Sequence, residues 1–313
     1  MKIGVTSRSF SKNNILRKEL LKNYSNVKFN DTGISLDGKE LVNFLFDCNK
    51  AIIALERLDE KTLLELPNLS VVGKYGVGLD KLDLNAMSKL NIKIGWKSGV
   101  NKRSVSELAL AFMINSLRKL RHCHEEIMRS NFYQVQGENL SNKIVGIVGC
   151  GNVGKDLVKL LKPFNCKILV NDIIEYSEFY REHSLINCNL NELISESDII
   201  TLHTPLTRKT HKFFGKNEFS IMKKNAVLIN TARGKLVDEN ELLKALENNH
   251  IGSAAFDVFY EEPPQNTKLI NNSNFIMSPH IGGSTKQSII AMGIAAIESL
   301  DNPVDPISLI KFQ

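Results

Sequence analysis

The sequence predicts an α/β protein with two doubly wound, parallel-sheet domains and a cleft between them. Short apolar runs alternate with helical patterns in both halves of the chain, which is typical of parallel α/β domains. The alternation restarts near residue 142, just before a glycine-rich turn. The chain has 313 residues, which is more than the roughly 150 residues that usually fold around one hydrophobic core, so two domains are expected.

The first half of the chain reads as one such domain. We expect strands over residues 3–5, 51–54, 69–74 and 92–94, and a helix over 14–23. Pro67-Asn68 and Gly76-Val77-Gly78 provide turns near the carboxyl ends of strands, where ligands bind in open sheets. One long helix is then predicted over 104–122, with Ser104 as N-cap and Glu107 three residues later. Its wide apolar face suits a contact between domains or subunits as well as an ordinary core helix.

The second half repeats the pattern with stronger signals. Strands are predicted over 144–148, 167–171, 199–202, 226–230 and 254–258. A helix is expected over 155–162, and another from about 285 to 300. Polar loops follow the strands, as expected at the ligand-binding edge of a parallel sheet.

The turn after strand 144–148 predicts a dinucleotide site. Gly149 permits the tight turn, Gly151 lets backbone N–H groups approach a pyrophosphate, and Gly154 lets the next helix pack closely. Asn152 and Val153 complete this turn at the helix N-terminus, which favours an anion. A G-x-G-x-x-G alone is weak evidence, but its place between a strand and a helix supports a Rossmann-like domain.

Asp172 predicts which dinucleotide binds. It ends the second strand roughly 20 residues past the glycines, where a carboxylate accepts hydrogen bonds from the adenosine ribose hydroxyls. Ile173 and Ile174 follow it, so no arginine stands beside it for a 2′-phosphate. The sequence therefore predicts NAD rather than NADP.

Composition argues against other classes of protein. The net charge of +6 comes from 40 basic and 34 acidic residues that are scattered, whereas nucleic-acid binding favours a basic stripe with aromatics. No apolar stretch approaches the roughly 18 residues that cross a membrane, and no secretory signal is read at the start of the chain. We expect neither nucleic acid nor membrane as a partner.

Cysteine usage predicts a cytoplasmic protein without a metal. The five cysteines are odd in number and widely spaced, without a C-x-x-C motif, which is typical of reduced thiols. The one metal-like cluster is His122-Cys123-His124. Neighbouring residues on a helix point in different directions, so we expect no bound metal.

Three polar residues after strands of the second half suggest a catalytic set. They are Arg233, Glu262 and His280. Singly, each has an ordinary alternative: a surface arginine, a turn carboxylate before Pro263, and a loop histidine with satisfied hydrogen bonds. Their joint occurrence after the dinucleotide turn favours function. Histidine exchanges protons near neutral pH, and arginine binds carboxylates with a planar fork.

With the segment His203-Thr204-Pro205-Leu206-Thr207, these motifs give a resemblance over nearly the whole chain. The sequence resembles the D-isomer-specific 2-hydroxyacid dehydrogenases, most of all the phosphoglycerate dehydrogenases without their regulatory domain. The resemblance implies that His280 is the base in oxidation and the acid in reduction. It assigns Glu262 to the other ring nitrogen of His280, and Arg233 to the substrate carboxylate.

The resemblance also implies further binding residues. Those assigned to the cofactor, beside the glycine turn and Asp172, are His203, Thr204, Pro205, Thr231, Ala232, Arg233, Asp257, His280, Gly282 and Gly283. Within this set, Asp257 is expected to bind the carboxamide and the two glycines to approach the nicotinamide ribose. Those assigned to the substrate are Lys74, Val77, Gly78, Asn101 and Arg233.

Three departures from the family pattern bear on the substrate. Lys81 replaces the Asn usual after Asp80, Ala54-Leu55-Glu56-Arg57 replaces an Arg-Ser pair, and the tail from Asn302 lacks a Gly-x-Pro ending. The expected reaction is hydride transfer between nicotinamide and a small D-2-hydroxy acid, with 3-phosphoglycerate as the candidate substrate. Lys74 and Arg57 are candidate cations for its second charge, although both also suit solvated surface positions.

Alternatives remain. The chain also fits a glyoxylate or hydroxypyruvate reductase, or a non-catalytic NAD sensor such as the dehydrogenase-like corepressors. A formate dehydrogenase is disfavoured, because that relative pairs its histidine with glutamine where this chain has Glu262.

The resemblance implies a discontinuous domain arrangement and a homodimer. Residues 1–100 and 285–313 would form the substrate domain, with the NAD-binding domain over 101–284. Glycines near both crossings suggest a hinge over residues 99–102 and 282–284.

Overall fold

The computed structural model describes residues 1–312, apart from the side chains of residues 311 and 312. The described chain divides into two compact units. The first unit comprises residues 1–101 and the described residues from 283 onward, and the second comprises residues 102–282. The chain therefore leaves the first unit once and returns to it.

Each unit alternates strands with helices. The strands are β1 (Ile3–Val5), β2 (Val27–Phe29), β3 (Lys50–Ile53), β4 (Val71–Lys74), β5 (Lys93–Gly95), β6 (Ile144–Val148), β7 (Lys167–Asn171), β8 (Ile186–Asn187), β9 (Ile199–Leu202), β10 (Val227–Asn230), β11 (Ser253–Phe256) and β12 (Phe275–Met277). The α-helices are α1 (Arg8–Lys12), α2 (Asn14–Asn23), α3 (Gly38–Leu45), α4 (Glu60–Leu64), α5 (Leu84–Lys89), α6 (Lys102–Arg118), α7 (Leu120–Met128), α8 (Asn152–Leu161), α9 (Ser177–Glu182), α10 (Leu190–Glu196), α11 (Lys216–Ile221), α12 (Glu239–Glu247), α13 (Thr267–Ile270) and α14 (Lys286–Ser299). Short 3-10 helices span Lys162–Phe164, Gly234–Leu236 and Pro306–Phe312.

The first unit contains a five-stranded sheet in the order β2-β1-β3-β4-β5, with its strands paired in parallel. The chain moves from β1 to β2 in one direction and then returns to place β3 on the other side of β1. Helix α14 packs closely on this sheet, because a Cβ at Gly73 in β4 would lie 2.9 Å from the carbonyl oxygen of Ala296.

The second unit contains a seven-stranded parallel sheet in the order β12-β11-β10-β9-β6-β7-β8. The chain reverses direction between β6 and β9, which are adjacent. In doubly wound sheets, ligands bind at the carboxyl ends of the strands at such a reversal. The fold therefore directs attention to the loops after β6 and β9.

Buried strands with helices on both faces explain the apolar runs in the sequence. Alternate residues of the second sheet belong to two different apolar clusters, with Leu228 in one and Ile229 in the other. The first sheet has the same division, with Ile53 and Ile52 in different clusters. Both faces of a parallel sheet are normally covered in this way.

The predicted two-domain α/β class is confirmed, and several elements match closely. Strands β1, β6, β7 and β9 and helix α2 have the predicted bounds. The other predicted strands are shifted by one or two residues, which is the usual uncertainty at element ends. Strands β2, β8 and β12 were not predicted.

The prediction of one long helix over 104–122 is wrong. Helix α6 begins at Lys102 and ends at Arg118, and Lys119 has a left-handed φ of 52°. The N–H of Glu138 donates to the carbonyl of Leu117 at 2.9 Å, and a Cβ at Gly137 would lie 2.7 Å from that oxygen. The returning segment thus occupies a carbonyl that a continuous helix needs for its own ladder. Ser104 lies inside the first turn of α6 and is not its N-cap.

Within residues 1–312, no helix has both the length and the apolar character that crossing a membrane requires.

Candidate active site

The glycine turn after β6 forms a cradle at the reversal of the second sheet. Gly149 has a φ of 94°, and a Cβ there would lie 2.8 Å from the backbone of His203. A Cβ at Gly154 would lie 2.4 Å from the carbonyl oxygen of Gly149. By contrast, a Cβ at Gly151 would meet no atom within 4 Å. Two glycines are therefore required by packing, while the third faces open space where a pyrophosphate fits.

Helix α8 directs its first backbone N–H groups toward this space. The helix begins at Asn152, and its N-cap, Gly151, provides no capping side chain. N–H groups at a helix N-terminus lack partners within the helix and attract anions. The turn therefore fits the pyrophosphate of a dinucleotide.

Asp172 is fixed beside the turn. Its Oδ2 accepts a hydrogen bond from the N–H of Cys150 at 2.6 Å, and its Oδ1 accepts one from the N–H of Ile174 at 2.9 Å. A carboxylate has about four acceptor positions, so both oxygens can still accept from ribose hydroxyls. Burial raises the pKa of the Cys150 thiol to about 11, which keeps that neighbour uncharged at neutral pH.

The loop after β9 carries a neutral histidine and a buried hydroxyl. The Nε2 of His203 lies 2.9 Å from the Oγ1 of Thr201, and burial lowers the pKa of His203 to about 4. The Oγ1 of Thr204 and the Oγ1 of Thr231, after β10, are buried without a hydrogen-bond partner in the described chain. Buried polar atoms of this kind normally have partners, so both hydroxyls fit a polar cofactor.

The turn after β10 positions Arg233. Asn230 is fully buried at the end of that strand. Its Nδ2 donates to the carbonyl of Arg233 at 2.9 Å, and its Oδ1 accepts from the N–H of Ala232 at 3.1 Å. The Nη1 of Arg233 donates to the carbonyl of Ala232 at 2.7 Å. The sequence analysis missed Asn230, although an asparagine at a strand end is a typical turn-forming signal.

Asp257 organises the loop that carries His280. Its Oδ1 accepts from the N–H of Ile281 and its Oδ2 from the N–H of Gly282, each at 2.7 Å. Ser278 Oγ also donates to Oδ1, and the N–H of His280 donates to the carbonyl of Asp257 at 2.9 Å. Asp257 is only 1% exposed. Its predicted contact with the carboxamide stays a prediction; Ser278 is a contributor that the sequence analysis missed.

Glu262 and His280 form a hydrogen-bonded pair. The Oε2 of Glu262 lies 2.8 Å from the Nδ1 of His280, and the side chains are 41% and 44% exposed. Burial raises the pKa of the Glu262 carboxyl, but His280, the N–H of Phe259 and the charge of Arg233 together hold it below its usual value. His280 has a φ of 52°, a left-handed conformation in which histidine is enriched among residues other than glycine.

The predicted substrate residues of the first unit lie on or after the carboxyl ends of its strands. Lys74 ends β4, is 6% exposed, and donates its ammonium to the carbonyl of Ala54. The carbonyl of Val77 accepts from the Nε1 of Trp96 at 3.1 Å. Gly78 follows on the same loop, and Asn101 is buried at the end of the first unit's initial segment. Gly283 follows the crossing, and a Cβ there would lie 3.1 Å from the Nδ2 of Asn101.

Comparison with known proteins identifies the family. Residues 110–282 match the family model described as D-isomer specific 2-hydroxyacid dehydrogenase, NAD binding domain. The chain belongs to the D-isomer specific 2-hydroxyacid dehydrogenase family. The matched range lies within the second unit and contains the glycine turn, Asp172 and His280, so NAD is the cofactor of this domain.

Relatives within this family include two enzyme classes. The chain is 33% identical to a glyoxylate reductase of Thermococcus litoralis over 75% of this chain and 74% of the relative. It is 31% identical to a D-3-phosphoglycerate dehydrogenase of Methanocaldococcus jannaschii over 91% of this chain and 55% of the relative. The chain therefore spans only about half the length of that phosphoglycerate dehydrogenase.

A solved structure agrees with the fold. D-lactate dehydrogenase with NAD+ from Lactobacillus jensenii is 27% identical, with a TM-score of 0.77 over 96% of this chain and 97% of that one. Among the described residues, no group of three or more His, Cys, Asp or Glu is arranged to hold a metal ion.

Proposed function

We propose that this family member is an active oxidoreductase for a small D-2-hydroxy acid and its 2-keto acid, with Arg233, Glu262 and His280 as catalytic residues. The pairing of Glu262 with the Nδ1 of His280 at 2.8 Å carries the proposal. This hydrogen bond occupies one ring nitrogen and leaves Nε2 for proton exchange with substrate. The charged carboxylate also stabilises the imidazolium that forms when Nε2 takes a proton.

The residues divide the chemistry between them. Bound NAD would supply the hydride acceptor for the carbon that carries the hydroxyl. His280 takes the hydroxyl proton at Nε2 in oxidation and returns it in reduction. Glu262 keeps the imidazole in the tautomer with hydrogen on Nδ1, and Arg233 binds the substrate carboxylate with its planar fork.

We place the cofactor on the residues that the family resemblance assigns to it. The N–H groups of Asn152 and Val153 bind the pyrophosphate, and Asp172 binds the adenosine ribose. His203, Thr204 and Pro205 border the adenosine, while Thr231 and Ala232 lie beside the nicotinamide. The buried, unpartnered hydroxyls of Thr204 and Thr231 support these placements.

For the substrate, we propose a doubly anionic acid such as 3-phosphoglycerate, with Lys74, Val77, Gly78 and Asn101 in the binding loops. The match to a phosphoglycerate dehydrogenase over 91% of this chain supports this choice. The reductase relatives make glyoxylate and hydroxypyruvate the competing substrates.

The ion pairs and hydrogen bonds of the first unit bear on which cation could bind the second anionic group of the substrate. The Nε of Arg57 lies 3.3 Å from Asp59, and the ammonium of Lys74 binds a carbonyl. Arg8, which directly follows the β1 loop residue Ser7, is exposed and forms no ion pair with the residues described. Arg8 thus joins Lys74 and Arg57 as a candidate cation for the second charge.

A substrate panel tests the proposed function. NADH oxidation is measured with glyoxylate, hydroxypyruvate and pyruvate, and NAD reduction with 3-phosphoglycerate, D-glycerate and D-lactate. We expect turnover that His280→Ala mostly removes, with 3-phosphoglycerate preferred. A preference for the unphosphorylated acids would contradict the narrower substrate. NADH binding without turnover on any acid would favour the NAD sensor.

We also propose a cytoplasmic homodimer. The five cysteines are free thiols, as is usual in a reducing compartment.

Helix α7 and the segment after it expose large apolar side chains, including Ile127, Met128 and Phe132 at 59%, 73% and 95%. An exposed apolar patch commonly marks a protein interface. Analytical ultracentrifugation tests this: a dimer that Phe132→Asp weakens supports it, and a monomer at all concentrations contradicts it.

A further inference from the structure

The position of Glu262 depends on a short loop, Phe259, Tyr260, Glu261 and Glu262, which we call the dyad loop. Within this loop, the N–H of Phe259 donates to the Oε1 of Glu262 at 3.3 Å. The other oxygen of Glu262 contacts the Nδ1 of His280. Any displacement of the dyad loop therefore moves the carboxylate relative to the imidazole.

One side of the dyad loop rests on the turn that follows Arg233. A Cβ at Gly234 would lie 1.9 Å from the carbonyl carbon of Phe259, so only a glycine allows the two backbones to approach this closely. The Phe259 ring is buried, and its centroid lies 6.4 Å from that of Phe275 in a T-shaped arrangement. This contact fixes the beginning of the dyad loop against the sheet.

The other side of the dyad loop is held by a carboxylate from a different element. Glu239 is the first residue of α12, and its Oε1 accepts a hydrogen bond from the N–H of Tyr260 at 2.7 Å. Hydrogen bonds with a charged acceptor are short and about twice as strong as neutral ones. Glu239 thus joins the start of a stable helix to the residue two positions before Glu262.

Charged groups surround this junction. The Nζ atoms of Lys212 and Lys235 each lie 5.3 Å from the centroid of the Tyr260 ring. Lys212 also forms an ion pair of 3.0 Å with Asp238, the N-cap of α12. Burial, Asp238 and Glu261 raise the pKa of Glu239, whereas the Tyr260 N–H and Lys212 act in the opposite direction. Glu239 is therefore a partly buried carboxylate that accepts a hydrogen bond from the Tyr260 N–H.

We propose that Glu239 is a positioning residue for the reaction, holding the dyad loop so that Glu262 stays hydrogen-bonded to His280. It acts through Tyr260 and the loop backbone and does not touch the reacting atoms. The inference rests on the proposed function, because it assigns Glu239 to the catalytic pair. Neither its position in the sequence nor the family resemblance suggested this role.

Three variants test the proposal. Glu239→Ala removes the acceptor for the Tyr260 N–H, and Glu239→Gln keeps a neutral acceptor oxygen of the same length. Glu241→Ala is the matched control, because Glu241 lies on the same helix and its one ion pair among residues 1–312 is with Lys244 at 2.6 Å. We expect Glu239→Ala to lower kcat by about 10- to 100-fold, in the range that small misplacement of reacting groups costs. Glu239→Gln should recover most of this loss in kcat, and Glu241→Ala should have the kcat of the wild type. The KM for NADH should be unchanged in all three variants.

A double-mutant cycle separates positioning from general destabilisation. If Glu239 acts through Glu262, then Glu239→Ala should reduce kcat much less in the Glu262→Gln background than in the wild type. Fully additive losses, or a Glu239→Ala enzyme with wild-type kcat, would overturn the proposal. If Glu239→Ala fails to fold, Glu239→Asp, which keeps the charge but withdraws the acceptor oxygen from the Tyr260 N–H, is carried through the same cycle.

A spectroscopic readout does not depend on turnover. The nitrogen NMR signals of the His280 ring report its hydrogen bond to Glu262. We expect Glu239→Ala to move these signals in the same direction as Glu262→Gln, and Glu241→Ala to leave them in place. Unmoved signals in Glu239→Ala would contradict the positioning role. An inactive wild type whose signals respond as expected would instead contradict the proposed function alone.

Discussion

The Oε2 of Glu262 lies 2.8 Å from the Nδ1 of His280, although the two residues come from different loops. The dyad loop carries Glu262, and the loop that Asp257 organises carries His280. This contact determines which ring nitrogen remains for substrate. It also makes the contribution of each partner measurable by substitution.

Replacing His280 with alanine is expected to remove most turnover and to leave NADH binding nearly unchanged. General acid–base groups contribute about 10²- to 10⁴-fold, whereas the cofactor is proposed to be held mainly by the glycine turn and Asp172. Steady-state kinetics and fluorescence titration with NADH measure the two effects. His124→Ala, at an exposed histidine of the same unit, is the control. Normal activity in His280→Ala would refute the catalytic assignment.

Local signals account for what could be predicted from the sequence. Strands β6 and β7 and the intervening glycine turn are specified by residues that are close together in the chain. The Glu262–His280 pair was expected through family resemblance alone, because no local pattern relates two loops. The break at Lys119 depends on Glu138 binding the carbonyl of Leu117. That contact comes from a residue 21 positions after Leu117 in the sequence, so the periodicity of the helix could not reveal it.

Contacts made by backbone N–H groups are a second feature that could not be predicted from the sequence. Glu239 holds Tyr260 by its N–H, which every residue except proline possesses, so the partner leaves no side-chain signature. Both residues of strand β8 are exposed and those of β2 are only partly buried, so neither presents the buried apolar run by which β1 was predicted.

Replacing Glu262 with glutamine is expected to change how stability depends on pH. The folded chain holds the pKa of Glu262 below its ordinary 4.5, so the unfolded chain binds the proton first as the pH falls. The pair thus adds stability that is present above pH 4.5 and is lost as the pH falls through the lower, folded value. For side chains this exposed the contribution is about 0.2–1 kcal/mol.

Urea unfolding of the wild type and Glu262→Gln, at neutral pH and at about pH 4, measures this effect. We expect the difference in unfolding free energy to shrink on acidification. Glu261→Gln, at the exposed neighbouring carboxylate, should show a smaller difference. An equal difference for Glu262→Gln at both pH values would contradict the linkage.

Asp172→Asn is expected to narrow the preference for NAD over NADP. The substitution removes the charge that repels a 2′-phosphate, while its remaining carbonyl oxygen can still accept from the turn. We expect the ratio of kcat/KM values to change by about tenfold or more, equivalent to about 1.4 kcal/mol. Glu175→Gln, an exposed carboxylate on the same loop, is the control. Equal use of the two cofactors by the wild type would refute the assignment.

His203 is expected to make the protein less stable at mildly acidic pH. Burial lowers its pKa from 6.5 to about 4, so the unfolded chain binds more protons between these values and stability rises with pH across that interval. His203→Gln keeps a polar side chain near Thr201 and removes the titration. The loss of unfolding free energy from pH 6.5 to 4 should exceed about 1 kcal/mol in the wild type and be smaller in the variant. A His211→Gln control should behave as the wild type does, and parallel curves for wild type and His203→Gln would contradict the prediction.

Gly151→Ala is expected to weaken cofactor binding without destabilising the fold. Gly151 has a negative φ of −76°, and its added Cβ would meet no protein atom within 4 Å. That open space is where we place the pyrophosphate, so the methyl group should displace NADH and raise its Kd at least about tenfold, or about 1.4 kcal/mol. Gly215→Ala is the matched control, because Gly215 also caps a helix of the second unit and its Cβ would make only ordinary contacts, the nearest at 3.7 Å. Isothermal titration with NADH and thermal unfolding are measured on both variants. Unchanged NADH affinity in a folded Gly151→Ala protein would show that the pyrophosphate does not lie against this turn.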